Sequence, residues 1–343
     1  MTDSSLDPWT VALDEFPLTG TIREKFRSAL RSAVLAPSSH NSQPWRFRLN
    51  GEVLELLADR ARALPVVDPE DRELIISCGA CLRFLQVALT HFGEGASVSL
   101  LPDPADPDLL ARIKLTGPIV ATGWDHALFG GIRERRTNRH PFAPDPIPEQ
   151  VLARARAQAE KDQVWFQTLT AEADRAALAE LIAEGDRTQL ADRRFRRELA
   201  SWVHSNRSGS RDGMPAFAHG VGDLASEVGP IIIRTFDIGD GMAARDRQLA
   251  LGSPALAVLW TEDDTPRDWL MAGQGLARAL LSLQADGISV SYLNQAMEVR
   301  ELRARVRALL GREGAPQLIL RLGRGRMTRP TPRRRVDEVL IDG

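Results

Sequence analysis

The chain has 343 residues, 43% of them hydrophobic, and its 44 basic and 46 acidic side chains leave a formal charge of −2. That apolar supply suits a substantial core in one large or two ordinary domains, and a charge so close to zero argues against a general nucleic-acid binder or an acidic tail. With only Cys78 and Cys81, a disulfide framework and an all-cysteine zinc site are both excluded, and no metal site is expected.

The N-terminus has no basic-then-apolar leader pattern, and no stretch approaches the roughly 20 apolar residues of a membrane span. The expectation is a soluble cytoplasmic protein with no membrane partner. In chain order, Ile22, Phe26, Ala29, Leu30, Ala33 and Val34 recur at helical spacing, and Pro37, which lacks an N–H, ends that helix. Trp45, Phe47 and Leu49 then alternate with Arg46 and Arg48, and Asn50-Gly51 turns the chain into Val53, Leu54 and Leu56, which predicts a hairpin. Between helix and hairpin lies Pro-Ser-Ser-His-Asn-Ser-Gln-Pro-Trp, residues 37–45, a run of hydroxyls and amides between prolines. It is either an ordinary Ser/Asn turn or a loop that presents polar groups to a ligand.

A helix is expected from about 69 to 91, where Cys78 and Cys81 read as small buried hydrophobes rather than a redox pair. A strand follows at 96–101, then Pro- and Asp-rich punctuation and a short amphipathic piece, with an internal boundary near 121. The second half opens on 124–139, ending in Arg-Glu-Arg-Arg-Thr-Asn-Arg-His-Pro-Phe; Arg135, Arg136 and Arg139 around Thr137 make either a compact anion site or a solvated charge run. Pro146 to Glu149 starts a helix, 164–170 reads as a strand, and 171–204 as one long charged helix. Residues 205–240 show little periodicity and read as a lid or binding loop. Gly220-Val-Gly222 within it nominally fits a dinucleotide fingerprint, but no apolar strand leads into it. A central strand at 255–260, helices at 269–285 and 299–310, a polar loop at 292–295 and a strand at 317–322 complete the second half. The arginine-rich stretch 321–335 lacks the interleaved aromatics of a nucleic-acid surface, so no nucleic-acid partner is expected.

The run Ala-Pro-Ser-Ser-His-Asn-Ser-Gln-Pro-Trp-Arg-Phe resembles the N-terminal flavin-contacting motif of the FMN-dependent nitroreductase superfamily. Arg135-x-Thr137-x-Arg139 resembles its second signature, Arg-x-Ser-x-Arg, with Thr replacing Ser and keeping the hydroxyl. The resemblance implies an α+β nitroreductase-like fold and FMN as cofactor. It assigns Ser38, Ser39 and Asn41 to the ribityl chain and ring edge, Gln43 to cofactor binding, and Arg135, Thr137, Arg139 and Arg333 to the phosphate. Leu293, Asn294 and Gln295 fall where the family meets the flavin N5 edge, although the family more often has Glu-Gly or Gly-Gly there. The hydride acceptor is then flavin N5 and no side chain is catalytic; the partners are NAD(P)H and a small electron-poor acceptor such as a nitro compound or quinone.

Family members normally form homodimers, with the two motifs meeting across the interface. Here each motif occurs once, which implies two fused halves, 1–121 and 122–343, with central mixed sheets flanked by helices. Such a chain is an intramolecular pseudo-dimer in the manner of the Acg-like branch, a monomer that could still assemble further. If the 205–240 segment closes over the flavin, the alternative is an FMN storage or sequestration protein with little turnover.

Overall fold

Residues 7–11, 13–219 and 223–341 are described by the computed structural model; Gly220 and Gly222 of the nominal fingerprint lie outside them. The first helix, Ile22–Ala33, starts on a capping box: Glu24 N donates to Thr21 Oγ1 (3.3 Å) and Thr21 N to Glu24 Oε2 (2.7 Å). Its apolar stripe buries Phe26, Ala29, Leu30 and Ala33. The hairpin follows as β1 (Trp45–Asn50) and β2 (Val53–Ala58), then the helix Arg72–His91, β3 (Glu94–Leu100) and β4 (Leu109–Pro118). The last of these is a ten-residue strand where the sequence suggests only a short amphipathic piece. The Arg72–His91 helix is by length and composition able to cross a membrane, contrary to expectation, yet 83% of its apolar window is buried inside this protein.

In the second part, β5 (Trp165–Leu169) precedes the helices Glu172–Ala191 and Arg193–Trp202. The expected single helix is broken at Asp192, whose extended backbone (ψ 120°) and side-chain bond from Arg194 N (2.8 Å) cap the second piece. The two-residue strand β6 (Val203–His204) replaces the end of the expected helix, and the expected irregular stretch carries β7 (Met214–Pro215) and the short helices Asp223–Ser226 and Gly229–Thr235. It leads into a further helix, Gly239–Leu251. Then come β8 (Ala255–Thr261), the helix Pro266–Ala285, β9 (Ser289–Tyr292), the helices Gln295–Glu298 and Arg300–Leu310, β10 (Ala315–Gly323) and β11 (Leu340–Ile341).

Two main sheets result, ordered β11-β1-β2-β4-β3 and β5-β8-β10-β9. Setting β11 aside, both are antiparallel and share one pattern: two strands, then the last strand of the group, then the third. All seven residues of β8 are buried, because helices cover both faces of its sheet, whereas β1 alternates buried and exposed positions at Trp45 to Phe47. The helices Arg72–His91 and Pro266–Ala285 have 20 residues each and cross at glycines. A Cβ on Gly79 would lie 2.2 Å from Leu270 O, and one on Gly273 would lie 2.0 Å from Ile76 O. Each glycine is the eighth residue of its helix and meets the fifth of the other, so the crossing is two-fold in kind. Both cysteines are buried beside this crossing and bond to carbonyls, Cys78 to Pro44 O (3.2 Å) and Cys81 to Ala33 O (3.3 Å). Burial raises both thiols, which are therefore not nucleophiles.

Candidate functional site

The 37–45 segment turns sharply because His40 (φ 49°), Asn41 (φ 55°) and Gln43 (φ 53°) occupy the left-handed region. Non-glycine residues persist there only when their surroundings hold them. The restraint comes from far along the chain. Asn41 Nδ2 donates to Gly213 O (2.9 Å) and Pro332 O (3.0 Å), and Arg333 donates to Asn41 Oδ1 (2.8 Å). Gln43 Nε2 donates to Arg211 O (2.8 Å), while Arg334 N donates to Gln43 Oε1 (2.8 Å). The amides of Asn41 and Gln43 thus tie the loop to the 211–213 and 332–334 segments.

A cavity of about 500 Å3 opens beside this loop, within the range of small-molecule and cofactor sites. Ser38, Ser39, Arg139, Leu293, Asn294 and Gln295 lie on its wall; Asn41, Gln43, Arg135, Thr137 and Arg333 do not. The hydroxyls of the serines already have partners: Ser38 Oγ accepts from Gln43 N (2.9 Å), and Ser39 Oγ donates to Glu73. Asn294 bridges the same Glu73 (3.4 Å) and Ile319 N (3.0 Å). Residues 135–139 leave the helix Gly123–Glu134 and run beside β9, where Thr137 pairs with Val290 and Asn138 N donates to Val290 O (2.9 Å). This brings the arginine motif to the strand that ends at Tyr292.

Tyr292, the single tyrosine of the chain, sits on the cavity wall with its hydroxyl buried and unbonded. Burial raises it to about 12, against the pull of Arg135, Arg139 and Arg333, all within electrostatic reach. Arg135 and Arg333 are buried and each leaves Nε without a partner. Among the described residues neither they nor Arg139 has a carboxylate at ion-pair distance. The one hydrogen bond of Arg139 among the described residues is to Met214 Sδ (3.9 Å), and burial, opposed by Asp246, brings it down to about 10. His40, also on the wall, is pushed down to about 4 by burial and then by Arg139, so it is neutral at pH 7. Arg321, fully buried on β10, bonds among the described residues only to the carbonyls of Asn138 (2.7 Å) and His140 (3.0 Å). Buried cations without counter-charges are costly, and a bound anion relieves that cost.

Sequence reading did not single out His40, Tyr292 or Arg321 as members of the site. A lone tyrosine at the end of a strand and an arginine inside the apolar run Leu318 to Leu322 were available signals. The opposite wall is apolar and comes from the 205–240 region and its flanks, with Met214, Ala216, Ile232, Ile233 and Ile238 facing the cavity. Phe217 is not on the wall; it lies under Arg329 (6.0 Å).

Among curated relatives, "Putative NAD(P)H nitroreductase Rv3131" of Mycobacterium tuberculosis is 35% identical over 323 residues, covering 92% of this chain and 91% of its own length. The chain belongs to the nitroreductase family. Its Acg-like branch is represented by "Putative NAD(P)H nitroreductase acg" of the same organism, 31% identical over 94% of this chain and 97% of its own. "Probable NAD(P)H nitroreductase PigM" of Serratia is 25% identical over 93% and 94%. No family model matches. Among solved structures, the FMN-dependent nitroreductase NfnB of Mycobacterium smegmatis, crystallised with NADPH, overlaps 60% of this chain and 95% of its own, with 19% identity and a TM-score of 0.38.

Proposed function

We propose that this nitroreductase-family protein is an FMN-dependent NAD(P)H oxidoreductase that reduces a small electron-poor acceptor, a nitro compound or a quinone. The observation that carries the reading is the set of arginines gathered about Tyr292, buried Arg135 and Arg333 and half-buried Arg139, none of which has a carboxylate at ion-pair distance among the described residues. They fit a phosphate dianion, with the Tyr292 hydroxyl and the unbonded Nε atoms as spare donors. Each charged bond to the phosphate is worth about 1.5–3 kcal/mol. When bound, FMN would supply a ring position that accepts a hydride from one substrate and passes it to the next. This chain would bind and orient. Ser38, Ser39 and residues 293–295 line the site, His40 stays neutral there, and the apolar wall excludes water.

We further infer that residues 1–121 and 122–343 are two nitroreductase-like halves sharing one composite site. The matching strand orders and the two-fold glycine crossing support that division. Two buried free thiols and a nicotinamide donor fit a cytoplasmic setting.

A second reading, flavin storage, draws on the apolar wall, since side chains there could stand where a nicotinamide must stack. Mixing the flavin-loaded protein with NADPH or NADH without oxygen decides. Rapid bleaching of the flavin absorbance, with about one FMN per chain, is expected; slow bleaching that speeds up when 223–236 is shortened favours storage. Two FMN per chain would remove the single-site reading.

A further inference from the structure

A pair of carboxyls on the cavity wall has no part in holding an anion. Asp186, on Glu172–Ala191, and Asp246, on Gly239–Leu251, are 4% and 8% exposed. Gln295 Nε2 donates to both, at 3.1 Å and 2.7 Å, so the two carboxyls converge on one amide. Gly185 allows this approach, because a Cβ there would fall 2.7 Å from Gln295 C. Asp186 Oδ2 and Gln295 Oε1 are buried without a hydrogen-bond partner, and neither carboxyl forms an ion pair among the described residues.

The charges around the pair are Arg187 beside Asp186, Arg245 beside Asp246, and Arg139 and Arg321 from the facing elements. Burial outweighs them. It raises both carboxyls, and repulsion from Asp246 helps bring Asp186 to about 8. Two buried carboxyls converging on one donor repel each other as anions, which with burial favours a proton on Asp186 at neutral pH. Leu190, Phe195, Met242 and Leu249 continue the same wall as an apolar bed suited to a ring.

We propose that Asp186 is the proton donor to the acceptor and that the acceptor is an apolar quinone-class ring seated against this wall. The inference rests on the oxidoreductase reading above. In the step, the acceptor takes a hydride from the reduced cofactor at one position. The Asp186 O–H bond breaks, and its proton forms a new O–H bond at the quinone oxygen. Two electrons and two hydrogens convert quinone to hydroquinone, Asp186 is left as a carboxylate accepting from Gln295, and solvent returns its proton.

The test uses flavin-loaded protein, NADPH and menadione. Infrared spectra at pH 7 should show a protonated carboxyl band that titrates near pH 8 and is missing in Asp186→Asn. Stopped-flow reoxidation of the reduced protein by menadione should slow about tenfold per pH unit above that inflection. In Asp186→Asn it should be 10²- to 10⁴-fold slower and flat with pH. Asp246→Asn removes the repulsion and should move the inflection to lower pH. A protein that NADPH and NADH fail to reduce sinks the oxidoreductase reading and this proposal with it. One that is reduced normally, but whose reoxidation keeps its rate and pH profile in Asp186→Asn or its inflection in Asp246→Asn, sinks the proposal alone.

Discussion

Arg83 and Arg333 are both buried guanidiniums, at 8% and 3% exposure, and they differ in what they meet. Arg83 lies against Asp162, which also takes Arg278 Nε (2.9 Å), and it donates to Gln274 Oε1 (3.0 Å). Arg333 meets neutral oxygens only: Asn41 Oδ1 (2.8 Å), Thr331 Oγ1 (2.6 Å) and Pro332 O (2.9 Å), with its plane over Trp9 (5.2 Å). Burial lowers both, but Asp162 pulls Arg83 back up to about 10, while no carboxylate among the described residues opposes the effect of Arg135 and Arg136 on Arg333. A cation neutralised inside the chain serves the fold. One held in place by neutral acceptors keeps its charge for a partner outside the chain.

That contrast can be broken by mutation. The largest expected effect is at Asp162→Ala, which strands Arg83 and Arg278 together and should cost about 3–5 kcal/mol of stability. Urea midpoints would measure it, and the folded fraction should still bind FMN. A smaller effect, confined to binding, is expected at Arg135→Ala or Arg139→Ala, which should weaken FMN by about 1–3 kcal/mol. The apo protein should not lose stability, since an unpaired buried charge has been removed. Exposed Arg193→Ala is the control; equal loss of FMN there would mean that general charge holds the cofactor. Smallest of all, Cys78→Ser with Cys81→Ser should lower Tm by a few degrees and leave anaerobic flavin reduction as it was. Loss of reduction with FMN still bound would make the thiols part of the chemistry.

How much of this was legible varies by region. The 37–45 loop declared itself, because prolines enclose polar residues that no core accepts. Arg135 and Arg139 were legible as a pair, and the structure places them at the end of β9 through the Thr137 bridge. Asp186 and Asp246 were not legible. Each stands among Glu, Arg and Asp on a charged helix, where a carboxylate reads as solvated, and the close approach of Gly185 to Gln295 is a tertiary contact that no local pattern announces. The break at Asp192 was hidden for a related reason: helical periodicity continues through it, and the turn depends on one side-chain cap. β4 escaped notice because Gly117 and Pro118 at its end read as loop, while its strand character comes from pairing with β2 and β3 on either side.

The arm that ends in β11 has a consequence for synthesis. β11 lies parallel to β1, with Phe47 beside Leu340, and the bond between Arg333 and Asn41 spans 292 residues. While the chain is being made, the outer edge of β1 and the bond that Asn41 Oδ1 accepts from Arg333 stay unfilled until residues 331–341 emerge. The first sheet is therefore a nascent surface with an unguarded edge, a template for pairing between chains on neighbouring ribosomes. Closing so long a loop also puts docking of the arm among the late, slow events of folding. Affinity for the anion should thus arise after translation, in one step with closure of that edge.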